Sequence, residues 1–272
     1  MTNGPWLEFC RGAVDDLHGV LERLPTRVER EPVVGTGAGG DETTAVDLAA
    51  ESAIVARLER LHEDEGLEFR LVSEELGERD FGSSPVTRVV VDPIDGSLNA
   101  KRGIPFFALS IAVADGPTMG DVHFGYVYDF GTGEEWTAER GAGAFLDGER
   151  LGAVRPKDEI EILSFEATLT SSVAEKAAQM VGIAYRLRIM GSLAITLCHL
   201  AAGRLDAVCS LKGARSVDIA AAQLLVRECG LAIDLPEAPP FEAAPLDVEG
   251  RSRVVAAGTP ELCEKLFAAL SS

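Results

Sequence analysis

Val89-Val90-Val91-Asp92-Pro93-Ile94-Asp95-Gly96-Ser97-Leu98-Asn99 is the stretch around which the rest of the chain arranges itself. It opens as a short β-branched run, follows Ser83, Ser84 and Pro85, and reads as a buried strand. The strand meets a carboxylate at Asp92, and Pro93, which lacks an N–H, is expected to end its ladder. Asp95 follows, then Gly96 to close a turn and Ser97 to add a hydroxyl. Two carboxylates at a strand end suit a hard divalent cation, which prefers oxygen ligands. N–H groups from Gly96 onward can hold an anion if a helix or turn begins there. Taken alone, the same residues also suit an Asx-rich surface turn.

Upstream, Leu67–Ser73 reads as a second strand, and Glu74-Glu75 follows it directly. If the two strands are neighbours, Glu74 lies near Asp92 and Asp95; otherwise the paired acids are a solvated face. Before them, 41–63 reads as a helix with Thr43 or Thr44 near its cap. Its inner face is expected to carry Ala45, Leu48, Ala49, Ser52, Ile54, Val55 and Leu58. Asp47 lies on or near that face, and a buried carboxylate needs a partner or a task. Capping or an ion pair would satisfy it too. The tract 33–40 is Gly-rich and lacks the Gly-Lys-Ser/Thr ending of a phosphate-binding P-loop. It reads as a mobile active-site loop or a plain connector. The apolar residues from Trp6 to Leu24 recur at helical spacing and stop at Pro25.

Downstream, 106–114, 122–130 and 134–138 are strand-like, and Asp147-Gly148 marks a hairpin, so an antiparallel meander should extend the sheet. The pattern changes near 153–159, the expected boundary between subdomains 1–155 and 156–272. Beyond it strands (161–165, 184–189, 205–211, 231–235, 253–257) alternate with helices (172–181, 191–202, 217–229, 260–270), which is α/β layering. Asp218 opens the otherwise apolar helix 217–229, as an N-cap or as a cation ligand facing the sheet edge. Arg188, Lys212 and Arg215 flank the same region.

Composition narrows the function. A formal net charge of −19 disfavours non-specific nucleic-acid binding and binding to anionic membranes. It suits a protein working in high salt, as in a halophilic archaeon, or one shaped by GC-rich coding. Five scattered cysteines form no CxxC pair and no zinc pattern appears, so a reducing compartment and no disulfide framework are expected. The chain opens without a signal-peptide pattern and no apolar run reaches 18 residues, which points to a cytoplasmic protein with no membrane span.

Taken jointly, four segments resemble the inositol monophosphatase family, in its archaeal bifunctional fructose-1,6-bisphosphatase/inositol-1-monophosphatase branch. They are Gly40-Asp41-x-x-Thr44-x-x-Asp47-x-x-x-Glu51, Glu74-Glu75, Asp92-Pro93-Ile94-Asp95-Gly96-Ser97-x-Asn99, and Gly191-Ser192 with Asp218-Ile219-Ala220-Ala221. The segments Asn99–Pro105 and Gly125–Tyr128 are similar to the archaeal branch. Val217 stands where a Trp is common, and Leu211/Lys212 where inositol-specific members carry Glu, which favours a substrate with a second phosphate.

The resemblance implies an αβαβα sandwich of two subdomains forming one phosphatase unit, and a homodimer. It implies Glu74, Asp92, Asp95, Asp218 and the Ile94 carbonyl as ligands for two or three Mg²⁺ ions, with Mn²⁺ tolerated. Thr44, Asp47, Glu74 and Ser97 would then handle the attacking water. Asp95, Gly96, Ser97, Arg188, Leu193 and Lys212 would meet a sugar or inositol phosphate. Fructose 1,6-bisphosphate and inositol monophosphate are the implied substrates, in gluconeogenesis and inositol phosphate metabolism. The rival readings are a 3′-phosphoadenosine 5′-phosphate phosphatase, a catalytically silent regulatory member, and a Ca²⁺-binding protein without turnover.

Overall fold

The strand that carries Asp92 and Asp95 lies inside a large sheet, and the computed structural model describes residues 4–152, 159–166 and 169–271 around it. The first half runs α1 (Gly4–Arg23), α2 (Arg27–Arg30), β1 (Val33–Thr36), β2 (Glu42–Thr44), α3 (Ala45–Glu65), β3 (Phe69–Ser73) and β4 (Gly77–Phe81). It continues with β5 (Arg88–Asp95), α4 (Ser97–Arg102), β6 (Ala108–Ala114), β7 (Val122–Asp129), β8 (Glu135–Glu139), β9 (Gly143–Leu146) and β10 (Glu149–Arg150). The second half runs β11 (Ile160–Glu166), α5 (Thr170–Ala177), β12 (Ala184–Arg188), α6 (Leu193–Ala201), β13 (Ala207–Ser210), α7 (Ser216–Glu228), β14 (Ala232–Asp234), β15 (Val255–Ala257) and α8 (Pro260–Ser271). The boundary expected near 153–159 falls on 153–158, outside the described residues.

Among the described residues the strands form a hairpin β1-β2, an eight-stranded sheet β10-β9-β8-β7-β6-β5-β3-β4 and a five-stranded sheet β12-β11-β13-β15-β14. Period-2 alternation puts Leu71, Val89, Val91, Leu109 and Ile111 on one face of the large sheet, against Phe9, Val14, Leu17, Ile54 and Leu58 of α1 and α3. Val72, Val90, Ala112, Val127 and Trp136 on the other face meet α6 and α7. Those two helices also cover Val208 and Ala256 of the small sheet, whose far face packs Leu163, Phe165 and Cys209 against Cys263 and Leu266 of α8. The layers are therefore α, β, α, β, α, as the family resemblance implied. Helix α7 rides close on β7, where a Cβ at Gly125 would lie 2.6 Å from the Ala221 carbonyl oxygen. No helix of the described residues is long and apolar enough to cross a membrane.

Several expectations are corrected. The Gly-rich tract is not a plain loop: Val33–Thr36 pairs antiparallel with Glu42–Thr44, with a register shift between Val33 and Gly35. Helix α3 consequently starts at Ala45, because residues 42–44 are committed to that hairpin. Its buried face is Val46, Asp47, Ala50, Glu51, Ile54 and Leu58, and Leu48 points outward. Pro93 does not end the strand. The β5–β6 pairing slips between Asp92 and Asp95, so a bulge absorbs the missing N–H and the strand carries on to Asp95. Gly77–Phe81 forms an edge strand, β4, that its polar middle did not announce.

Candidate active site

Strand β3 pairs parallel with β5, in register from Arg70↔Arg88 to Ser73↔Val91. Parallel neighbours end at the same edge, so Glu74 emerges beside Asp92. Helix α7 begins at the same edge, with Asp218 in its first turn. Carboxylate oxygens of Glu74, Asp92 and Asp218 all lie within 4.8 Å of one another. Two like unit charges about 4 Å apart repel by roughly 4 kcal/mol at an effective dielectric of 20, so three such acids need cations among them.

One cation comes from the chain. The Arg215 guanidinium bonds Glu74, lies 3.5 Å from Asp218 Oδ1, and reaches Asp41 Oδ2 at 3.2 Å. Burial still raises Glu74 to a pKa of about 8: Arg215 pulls it down, and Asp218 and Glu75 push it further up. Burial also holds Asp92 well above the usual carboxylate range, with Glu74, Asp95 and Asp218 adding to the effect.

Asp95 lies in the same wall but outside that triplet. Its Oδ2 accepts the Ser192 hydroxyl at 2.5 Å and the Ala194 N–H at 2.7 Å. Burial lifts it to about 7, against those hydrogen bonds and with the help of Asp218. Gly96 then turns the chain at φ +93°, where a Cβ would meet the Gly191 carbonyl oxygen at 2.9 Å. Helix α4 begins immediately afterwards at Ser97, whose hydroxyl donates to the Ile94 carbonyl at 3.0 Å.

Thr44 and Asp47 cap α3 reciprocally. The Thr44 hydroxyl and N–H donate to Asp47 Oδ2 at 2.5 and 3.1 Å. The second Asp47 oxygen, Oδ1, is buried and has no hydrogen-bond partner among the described residues. A recess of about 10 Å³, room for one water or ion, is bounded by Asp47, Glu74, Glu75, Asp92, Ile94 and Ser97. Oxygen-only donors, a surplus of buried negative charge and an orphaned carboxylate oxygen together fit a hard divalent cation.

Beside this recess a cavity of about 340 Å³ is lined by Asp41, Asp95, Leu98, Asn99, Glu166, Leu193, Lys212, Arg215, Asp218 and Arg251, among others. Leu193 and Lys212, which the resemblance assigns to the substrate, line this cavity. Arg188, assigned to the substrate in the same way, is exposed, bonds the neighbouring Leu187 carbonyl at 2.9 Å and is not among the cavity's described lining residues. Arg251 and Glu166 were missed in the sequence, and Asp41 stood in the first motif without a role of its own. Glu166 had a signal, since it closes the strand read over 161–165 with a carboxylate just as Glu74 follows the strand read over 67–73. Arg251 had none, because it reaches the cavity from a loop remote in sequence and bonds the Gly39 carbonyl at 2.9 Å.

A fructose-1,6-bisphosphatase/inositol-1-monophosphatase of Methanothermobacter thermautotrophicus is 35% identical, with 93% of this chain and 95% of that protein covered. A protein of the same description from Thermococcus kodakarensis is 34% identical, with 97% of each covered. A solved structure from Pyrococcus horikoshii, described as having similarities to inositol-1 monophosphatase, superimposes with a TM-score of 0.81 at 27% identity, covering 98% of this chain and 99% of that one. The profile of the inositol monophosphatase family matches residues 10–272. With acids from three segments gathered at one edge and relatives named as phosphatases along nearly its whole length, the chain is a phosphoric monoester hydrolase of the inositol monophosphatase family.

Proposed function

We propose that the protein removes phosphate from fructose 1,6-bisphosphate and inositol monophosphate with Mg²⁺, a site Mn²⁺ would also fit. The observation that carries this reading is the convergence of Glu74, Asp92 and Asp218 within 4.8 Å, beside a cavity that holds Lys212 and Arg251. Glu74, Asp92, Asp95, Asp218 and the Ile94 carbonyl would hold the ions. Bound there, divalent cations neutralise phosphate oxygens, lower the pKa of a water and stabilise the leaving alkoxide.

The chain's own residues supply the rest. Glu74 and the Ser97 hydroxyl orient a water in the recess, and the free Asp47 oxygen, fixed by Thr44, stands ready to take its proton. Gly96 and Ser97 present the N–H groups of a helix start to the phosphate. Water gives a proton to Asp47 and adds its oxygen to phosphorus, the P–O bond to the sugar breaks, and the departing alkoxide takes a proton from solvent water to leave as an alcohol. Leu193 packs against the sugar, and Lys212 with Arg251 meets a second phosphate. The relatives named as both fructose-1,6-bisphosphatase and inositol-1-monophosphatase support the substrate pair. The cavity has no aromatic side chain among its described lining residues, which counts against an adenine pocket and so against 3′-phosphoadenosine 5′-phosphate. The two subdomains, 1–155 and 156–272, are taken to work as one unit because α6 and α7 share a core with both sheets.

The test is phosphate release in Mg²⁺ from fructose 1,6-bisphosphate, inositol 1-phosphate and 3′-phosphoadenosine 5′-phosphate. Turnover of the first two and little of the third is expected. Turnover of the third alone would overturn the substrate assignment, and none at all would leave a silent family member.

A further inference from the structure

Glu166, the last residue of β11, is 2% exposed, and the mechanism above gives it no task. A carboxylate this deeply buried is costly unless its oxygens are bonded, and they are. Oε1 accepts from the Ser164 and Thr196 hydroxyls, both at 2.9 Å, and Oε2 accepts from the Gly191 N–H at 2.8 Å. Glu166 therefore grips both ends of the turn that starts α6. The other side of this turn is gripped from the large sheet. Asn99 Nδ2 donates to the Met190 carbonyl at 2.9 Å, and Asp95 Oδ2 takes the Ser192 hydroxyl and the Ala194 N–H.

The turn has little slack between these anchors. Gly191 sits at φ +91°, where a Cβ would lie 2.8 Å from Asn99 Nδ2. Both of the Asp95 bonds fall on Oδ2, so they set the tilt of the carboxylate while Oδ1 takes no part in them. The partners that orient Asp95 are thus borrowed from a turn whose own position is set by Glu166.

We propose that Glu166 is a positioning residue for the metal ligand Asp95, acting through the turn from Gly191 to Thr196. The inference rests on the reading of Asp95 as a ligand. It predicts that Glu166 sets cation affinity without touching the cation, as partners behind a ligand generally do.

Chelator-stripped protein is titrated with Mn²⁺ and the free ion is counted by electron paramagnetic resonance, alongside a thermal melt. Glu166→Ala should weaken Mn²⁺ binding about 10- to 100-fold. Glu166→Gln, which keeps an acceptor for the Gly191 N–H and a group to bond the two hydroxyls, should restore most of it. Ser192→Ala should weaken binding too. Combining it with Glu166→Ala should cost less than the two effects multiplied, because both act through one turn. A Glu166→Ala protein that melts lower but binds Mn²⁺ like wild type would show a purely structural acid and overturn the proposal, as would fully multiplicative effects. Should Glu166→Ala fail to fold, Glu166→Asp, which keeps the charge but shortens the reach, is judged by the same two outcomes. Asp95→Asn separates the layers of the argument. If it binds Mn²⁺ normally, the ligand reading itself fails; if it loses a site while the Glu166 variants do not, the positioning role alone fails.

Discussion

Asp95 ties the end of β5 to the start of α6 through Ser192 and Ala194, and the proposed function makes it a cation ligand. Replacement by Asn keeps nearly the same volume and an acceptor for Ser192 and Ala194, but removes the charge a cation needs. Asp95→Asn is expected to leave the circular dichroism spectrum unchanged and to cut turnover in Mg²⁺ by at least about a hundredfold. A near-normal rate would remove Asp95 from the ligand set. Glu74 makes a prediction about pH. Its folded pKa of about 8, raised chiefly by burial from the ordinary 4.5, means the folded protein binds that proton more tightly than the unfolded chain does. Metal-free stability should therefore fall as pH rises from about 4.5 to 8. Glu74→Gln should flatten that fall, seen as a smaller loss of melting temperature across the window; parallel curves for the two proteins would contradict it. At this scale the acids stood out as candidates because strand ends and a helix start can be read from short-range pattern, while the resemblance joined them into one ligand set. The Arg215 bridge and the Asp41 contact were not legible, since they depend on how a distant loop folds back.

Among the elements, the hairpin β1–β2 and the bulge in β5 mark the limit of pattern reading. A tract as Gly-rich as 33–40 carries almost no side-chain periodicity, so its pairing with Glu42–Thr44 is decided by hydrogen-bonding partners that only the fold supplies. Pro93 signalled an end to the ladder, yet the strand takes up the missing N–H as a bulge and continues. Helix α7 shows a different constraint. Its run of Ala220, Ala221 and Ala222 reads only as a small apolar face, but it matches Gly125 on β7, where sheet and helix backbones nearly touch. Gly125→Ala should thus force the layers apart and lower stability by about 1–3 kcal/mol in a denaturant titration. A loss below a few tenths of a kcal/mol would show that the layers can shift freely.

At the level of the whole molecule, five layers bring acids from β3, β5 and α7 to one edge, where no single segment could gather them. Most of that architecture was readable: the meander follows from hairpin signals, and the second half from its strand–helix alternation. The layer order and the joint site came from four motifs taken together, because which faces pack together is a long-range matter that local patterning leaves open. The arrangement also explains why the edge needs a cation. Arg215 supplies a single positive charge to a cluster in which burial already disfavours the charged forms of Glu74 and Asp92. The most direct measurement is phosphate release from fructose 1,6-bisphosphate by chelator-stripped protein as Mg²⁺ is added back. The rate should start at background and rise to saturation with Mg²⁺. A rate that is the same in excess chelator as in Mg²⁺ would contradict the assignment of these acids to a catalytic metal site.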